Sequence, residues 1–431
     1  MPSPSVRRTL NAIGLVLHPD DPIARSLTWA TMASAAGNGV FYTVSALFFT
    51  RVVGLDAATV GLGLTVAGGF AVAGAFVAGP IGDRMGAHRV LLLATAGQGI
   101  ALLVYVLARN AVSFTVIACF AVGLRSVTST ARSALLASSF TGPDRVAVRA
   151  RLRVVVNVFI GIGTVLAALA LVADTTLAYT VAILLVGGLT VLSCLPLARL
   201  QRRIERATPI PDRTPSAAVP DEDARSPLQD RRYLAVTALN AVMATHFGLT
   251  SVGVPLWVVT HTHAPAVTIS ALLGLNTLLV ALFQVRATRG THLVPGAARA
   301  VTNAGGLLAV ACALYAGSAA GGAALAVGLL VLGCVAHAGA EMLGEAGSWG
   351  LAFELADPRR AGAYQGLSQT GYALGTMVAP VLVTTTAIQH GTLGWAILGS
   401  LYAAAGLLTG LVVRLSAGTK TPAAQPSRIA A

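Results

Sequence analysis

The chain has 431 residues, 55% of them hydrophobic and only 10% charged, with a mean hydropathy of +0.76. That little charge cannot solvate a soluble protein of this length, which leaves a polytopic helical membrane protein. A formal net charge of +13 does not make it a nucleic-acid binder, because the basic residues gather on alternate connections between apolar runs, as membrane insertion requires.

The first 26 residues are polar and proline-containing and hold no signal peptide, so the first apolar run is expected to stay as an uncleaved helix. Apolar runs long enough to span a bilayer follow at 27–50, 57–80, 90–109, 112–138, 152–173 and 177–198. After a polar stretch they resume at 233–259, 267–286, 298–318, 323–348, 362–386 and 393–414. The expected fold class is therefore all-α, with twelve transmembrane helices in two pseudo-symmetric six-helix bundles. Residues 1–198 form the N-terminal bundle, 199–232 a linker and 233–431 the C-terminal bundle.

All Arg and Lys except Arg51, Arg109, Arg125 and Arg132 fall on alternate connections or the chain ends. The four arginines at 145, 149, 151 and 153 count here as charge on the connection between the fourth and fifth spans. This asymmetry places both termini and the linker in the cytoplasm of a multi-pass inner (plasma) membrane protein. The linker, rich in Arg, Pro and Asp, reads as a flexible tether. Cys119, Cys194, Cys312 and Cys334 lie within apolar runs and read as small buried hydrophobes.

A faint repeat relates the halves. Gly123-Leu124-Arg125 in the fourth span corresponds to Gly339-Ala340-Glu341 in the tenth, and Gly163-Thr164-Val165-Leu166-Ala167 in the fifth to Gly375-Thr376-Met377-Val378-Ala379 in the eleventh. Two related halves around a central cavity is the architecture such symmetry implies.

Between the second and third spans stands Gly79-Pro80-Ile81-Gly82-Asp83-Arg84-Met85-Gly86-Ala87-His88-Arg89. The pattern resembles the loop signature of the major facilitator superfamily, although Ala87 and His88 replace that family's basic pair. The segments from Asn276 through Arg286 and from Gly344-Glu345 through Gln365-Gly366 resemble its multidrug/proton antiporter branch. The resemblance runs from Leu27 to Arg414. The Gly-Pro step of the antiporter motif is missing from the fifth span, where Asn157 to Gly163 keeps only the glycines.

Ionisable residues within a bilayer are costly and mark function. Arg125 and Arg132, with Ser129 between them, share one face of the fourth span; His337, Glu341 and Glu345 share one face of the tenth, and Trp349 continues it. The resemblance implies that these faces look into the cavity, with Glu341, Glu345, His337 and Arg125 forming a proton-coupling group. The proton affinity of Glu341 would then change as its distance from Arg125 changes. His337 reads equally as a relay member or as a satisfied interior histidine. Arg132 is expected to snorkel or to meet Asp83.

The resemblance also implies that Gly79, Asp83, Arg84, Gly86 and Arg89 form a gate. Asp83 would sit at the N-terminus of the eleventh helix, and Arg84 and Arg89 would be placed to pair with Asp144. Substrate contacts are expected from Asn38, Phe41, Tyr42, Asn157, Asn240, His246, Phe247, Asn276, Gln369 and Tyr372. The first span lacks an acidic residue, so the cavity is expected to be largely apolar and to suit neutral or weakly charged amphipathic cargo. His261-Thr262-His263 lacks a further ligand and is not assigned to a metal.

The expected function is proton-coupled export of small amphipathic molecules by a monomer in a lipid bilayer, without catalytic residues or nucleic acid. No cofactor is needed beyond a proton gradient. An importer or facilitator of a small polar solute, or a receptor or scaffold without flux, remains the alternative.

Overall fold

A long apolar segment in hydrocarbon must satisfy its backbone internally, and an open chain does so only as a helix. The structure, a computed structural model, describes residues 19–207 and 226–417 and contains no strand among them. The spans are α1 (Pro22–Leu47), α2 (Ala57–Met85), α3 (Ala87–Val104), α4 (Ala111–Ser139), α5 (Pro143–Ala173) and α6 (Thr176–Leu192). A helical extension, Cys194–Ala207, continues α6. The second half holds α7 (Arg231–Ala244), prolonged by Leu249–Gly253 and Val254–His261, then α8 (Val267–Ala287), α9 (Val294–Gly317), α10 (Ala323–Glu354), α11 (Ala361–Val383) and α12 (Gln389–Ala417).

By length and hydropathy these form eleven runs, the last being Pro358–Leu415. That run contains two spans: it loosens into a π turn at Thr384–Ile388 and reverses at Gly391, whose φ of 58° suits glycine. Helix starts are written into the connections. Asp56 accepts from the Thr59 N–H, Thr175 from Ala178, Asp230 from Tyr233, and Asn110 with Ser113 completes a capping box.

Two features depart from the expected boundaries. α5 begins at Pro143, in the first-turn position proline favours, so Arg145, Arg149, Arg151 and Arg153 lie on a helix and not in a loop. Residues 199–207 of the expected linker are helical, while 208–225 lie outside the described residues.

Each half has its own buried core, one built around Phe49, Tyr105 and Phe114, the other around Trp257, Tyr315, Trp395 and Tyr402. A third core, from Leu27 and Leu91 to Trp349 and Phe353, joins the halves near the face that carries the α2–α3 hairpin. The repeat seen in the sequence becomes a repeated helix crossing. Gly163 of α5 leaves no room for a Cβ against the Ala36 carbonyl of α1, and Gly375 of α11 leaves none against the Ala241 carbonyl of α7. Leu62, Val112 and Val172 are among many exposed apolar side chains on the outer surface, the surface a bilayer would cover.

Candidate functional site between the bundles

Positions four apart on a helix share a face. On α10 this ladder is His337, Glu341, Glu345, Trp349 and Phe353; on α5 it is Arg145, Arg149 and Arg153. The two ladders face each other across the boundary between the halves. The Arg153 guanidinium donates to Glu341 Oε1 at 2.8 Å and lies 3.4 Å from Glu345 Oε2. Arg149 lies over the rings of Trp349 and Phe353, and Arg145 lies 3.6 Å from Glu354. Glu341 is 4% exposed and Glu345 9%, so one guanidinium serves two buried carboxylates. Asn276 of α8 donates to the second Glu341 oxygen at 3.2 Å.

The guanidinium that holds Glu341 in this state is thus Arg153 and not Arg125, the residue expected to tune it. Arg125 instead sits over the Tyr42 ring at 5.5 Å, with both side chains exposed. Arg149 and Arg153 escaped the sequence reading because they were counted as loop charge. The signal was their spacing: Arg145, Arg149 and Arg153 recur every fourth residue, as one helix face does and a loop need not.

Beside the carboxylates, His337 Nε2 and His246 Nδ1 are 3.0 Å apart, and the Tyr315 hydroxyl lies 3.4 Å from His337 Nδ1. Both histidines are buried. They form a continuous polar path, Tyr315–His337–His246, that starts one helical turn from Glu341.

Arg153, Glu345 and His246 line a cavity of about 210 Å³, with Glu341, His337 and Tyr315 behind its wall. Of the expected substrate contacts, Asn240, His246, Phe247, Gln369 and Tyr372 line it. Asn240 accepts from Ser348, and Gln369 donates to Ser133 across the bundle boundary. Asn38, Phe41, Tyr42, Asn157 and Asn276 stand outside the wall: Phe41 packs into the aromatic core with Phe49 and Tyr105, and Asn276 holds Glu341. The wall is largely apolar, as expected, but Arg132, Arg149 and Arg153 add basic groups to it that the sequence reading did not place there. Arg132 neither snorkels outward nor meets Asp83.

At the end of the bundles, the Asp83 carboxylate accepts from the Gly362 and Ala363 N–H groups at 2.7 and 2.8 Å. These are unsatisfied first-turn donors of α11, and an anion there is favoured by both hydrogen bonding and the helix dipole. Gly79 and Gly362 let the two backbones meet: a Cβ on Gly79 would press on the Gly362 carbonyl at 2.5 Å. Gly86, with φ 91°, makes the turn into α3. Arg89 pairs with Glu205 of the α6 extension at 2.9 Å rather than with Asp144, and Arg84 is exposed without an ion pair among the described residues.

The hydrogen bonds and ion pairs that join the halves lie toward the face carrying the α2–α3 and α4–α5 connections. Toward the other face, Tyr42, Arg125 and Tyr372 are exposed in mid-helix. The bundles are thus latched at one end and parted toward the other, as one stage of an alternating-access cycle requires.

The sequence profile of the Major Facilitator Superfamily matches residues 27–380. The chain belongs to this superfamily. As a member it is a multi-pass membrane transporter that works by alternating access on small-molecule substrates. Solved structures share the fold at low identity. A bacterial homologue of the iron transporter ferroportin in an outward-facing state has a TM-score of 0.68 at 15% identity over 92% of this chain and 99% of that one. The human organic anion transporter TETRAN gives 0.65 at 16%, over 92% and 100%. The proton:xylose symporter XylE gives 0.66 at 13%, over 91% and 95%. No curated protein sequence matches significantly.

Proposed function

We propose that the chain is a proton-coupled exporter of small amphipathic molecules, acting as a monomer in the inner (plasma) membrane with both termini in the cytoplasm. Under this reading the latched face is cytoplasmic and the cavity opens outward. The observation that carries it is the triad of Arg153, Glu341 and Glu345 across the bundle boundary. Two buried carboxylates sharing one guanidinium form a lock whose strength depends on their protonation. Protons entering from the open side remove the negative charge that holds Arg153. The ion pairs then weaken, Asp83 leaves the α11 terminus, and the bundles part on the cytoplasmic side. Release of the protons inward and uptake of cargo from the cytoplasm allow the lock to reform. His337 and His246 supply groups through which a proton reaches Glu341 without crossing hydrocarbon. The driving force is the proton gradient, with no further cofactor.

The test uses purified protein in liposomes with a panel of one- and two-ring amphipathic dyes and an imposed pH gradient. Glu341→Gln is expected to retain dye exchange at equal pH on both sides and to lose accumulation driven by the gradient. Undiminished gradient-driven accumulation in that variant excludes Glu341 as the coupling group. Accumulation along the proton flow, in place of against it, replaces export with symport.

A further inference from the structure

The cavity holds positive charge that the proton lock does not use. Its wall carries Arg132, Arg149 and Arg153, and the carboxylates of Glu345 and the adjoining Glu341 are both taken by Arg153. Arg149 donates to the Ser133 hydroxyl at 2.8 Å, lies over the faces of Trp349 and Phe353, and feels the charge of Glu345 without forming an ion pair with it. Arg132 makes no hydrogen bond or ion pair among the described residues, and it lies near enough to Arg149 for their charges to repel. A guanidinium cannot shed its proton in a protein. Three guanidiniums therefore share two carboxylates: Arg132 has no counter-ion and Arg149 only the field of a Glu345 already paired with Arg153, an excess of positive charge that costs stability unless an anion fills the space.

The other wall groups say what the anion carries. Phe247, Tyr372 and Trp349 present aromatic surface to the same cavity. The volume of about 210 Å³ falls below the roughly 300–1,000 Å³ of pockets for drug-sized ligands, so the occupant is small. We propose that the cargo is a small organic anion, a carboxylate or sulfonate on one or two rings. Its acid group is held by Arg132 and Arg149, and its apolar body lies against Phe247, Tyr372 and Trp349. Guanidiniums suit this task because their planar forks match carboxylate and sulfonate oxygens. The inference rests on the transporter reading above and adds the charge class of its cargo.

The test is equilibrium binding to the detergent-purified full-length protein, with three naphthalene probes that differ in charge: 1-naphthalenesulfonate, 1-naphthalenemethanol and 1-naphthylmethylammonium. Inorganic phosphate serves as competitor. The sulfonate is expected to bind about ten-fold or more tighter than the other two, the gain of a charge-assisted hydrogen bond. Arg132→Gln and Arg149→Gln are each expected to remove about that factor, while Arg132→Lys and Arg149→Lys, which keep the charge, retain most of it. The proposal is overturned if the alcohol or ammonium binds as tightly, if the glutamine variants bind the sulfonate like the parent, or if phosphate alone binds as well as the sulfonate. Liposome flux of the same probes separates this from the proton reading. Arginine-dependent sulfonate binding with flux indifferent to a pH gradient keeps the anion site and removes proton coupling. Gradient-driven flux of the alcohol, insensitive to both arginines, does the reverse.

Discussion

Two seams join the halves, α11 against α2 and α4, and α5 against α8 and α10, and the pseudo-symmetry of the fold makes them counterparts. They are built from opposite materials. The α2–α11 seam is nearly bare backbone, with Gly79, Gly362 and Gly366 in contact and one carboxylate seated on two N–H groups. The α5 seam is made of long charged side chains: Arg153 with Glu341 and Glu345, and Arg145 with Glu354. The connections account for part of the difference. Gly86 and Gly290, both at positive φ, end the corresponding turns, and counting back from them Ala287 stands where Asp83 does. With no carboxylate on the α8–α9 connection, the second seam has no backbone latch of this kind. A backbone latch fixes distance, whereas an ion triad in a low-dielectric boundary responds to protons and to the charge of whatever enters.

Removing the guanidinium from the charged seam is the severest way to break this contrast. Arg153→Met leaves two buried carboxylates without an ion pair, a loss of about 3–5 kcal/mol, and should show as a marked fall in thermal stability at neutral pH. Adding Glu341→Gln and Glu345→Gln to that variant should restore much of the loss, because the uncompensated charges go with it. No recovery would mean that Arg153 stabilises by packing alone.

The backbone latch is expected to yield less. Asp83→Asn keeps the shape and one acceptor oxygen, so it gives up one of the two charge-assisted hydrogen bonds, a loss of about 1.5–3 kcal/mol. It should move the population toward the state parted at the α2–α11 end. Cysteine pairs placed across that end, read by cross-linking, check it. An unchanged cross-linking yield would show that glycine packing, not the carboxylate, closes the seam.

A clasp within one half gives the smallest effect and serves as a control. Asp174, at the end of α5, pairs with Arg51 and accepts from the Tyr179 hydroxyl. The Tyr179 hydrogen bond and then Arg51 hold its carboxyl below the ordinary value. A lowered carboxyl contributes stability above its unfolded value, about 3.9, and loses it as the pH falls through the lowered folded value. Asp174→Asn should therefore lower the melting midpoint slightly at pH 7 and not at all in strong acid, and it should leave the bundle equilibrium untouched. A change in cross-linking across the α2–α11 end would contradict its confinement to one half.

The amino-acid sequence alone determined the class, the number and placing of the spans, the superfamily motif around Asp83 and the acidic face of α10. These are local properties: a span announces itself through some twenty consecutive apolar residues, and a hairpin through its glycines. Which charges meet across the bundles was decided only by tertiary structure. Arg153 and Glu341 are 188 residues apart in the chain, and no local pattern names a partner at that distance. Arg125, on a face that looked suitable, lies over Tyr42 instead, while Arg149 and Arg153 entered the cavity because α5 starts ten residues earlier than Arg153. Near a membrane surface, basic residues serve equally as topological markers and as site groups. Only the packing of α5 against α10 separates the two roles.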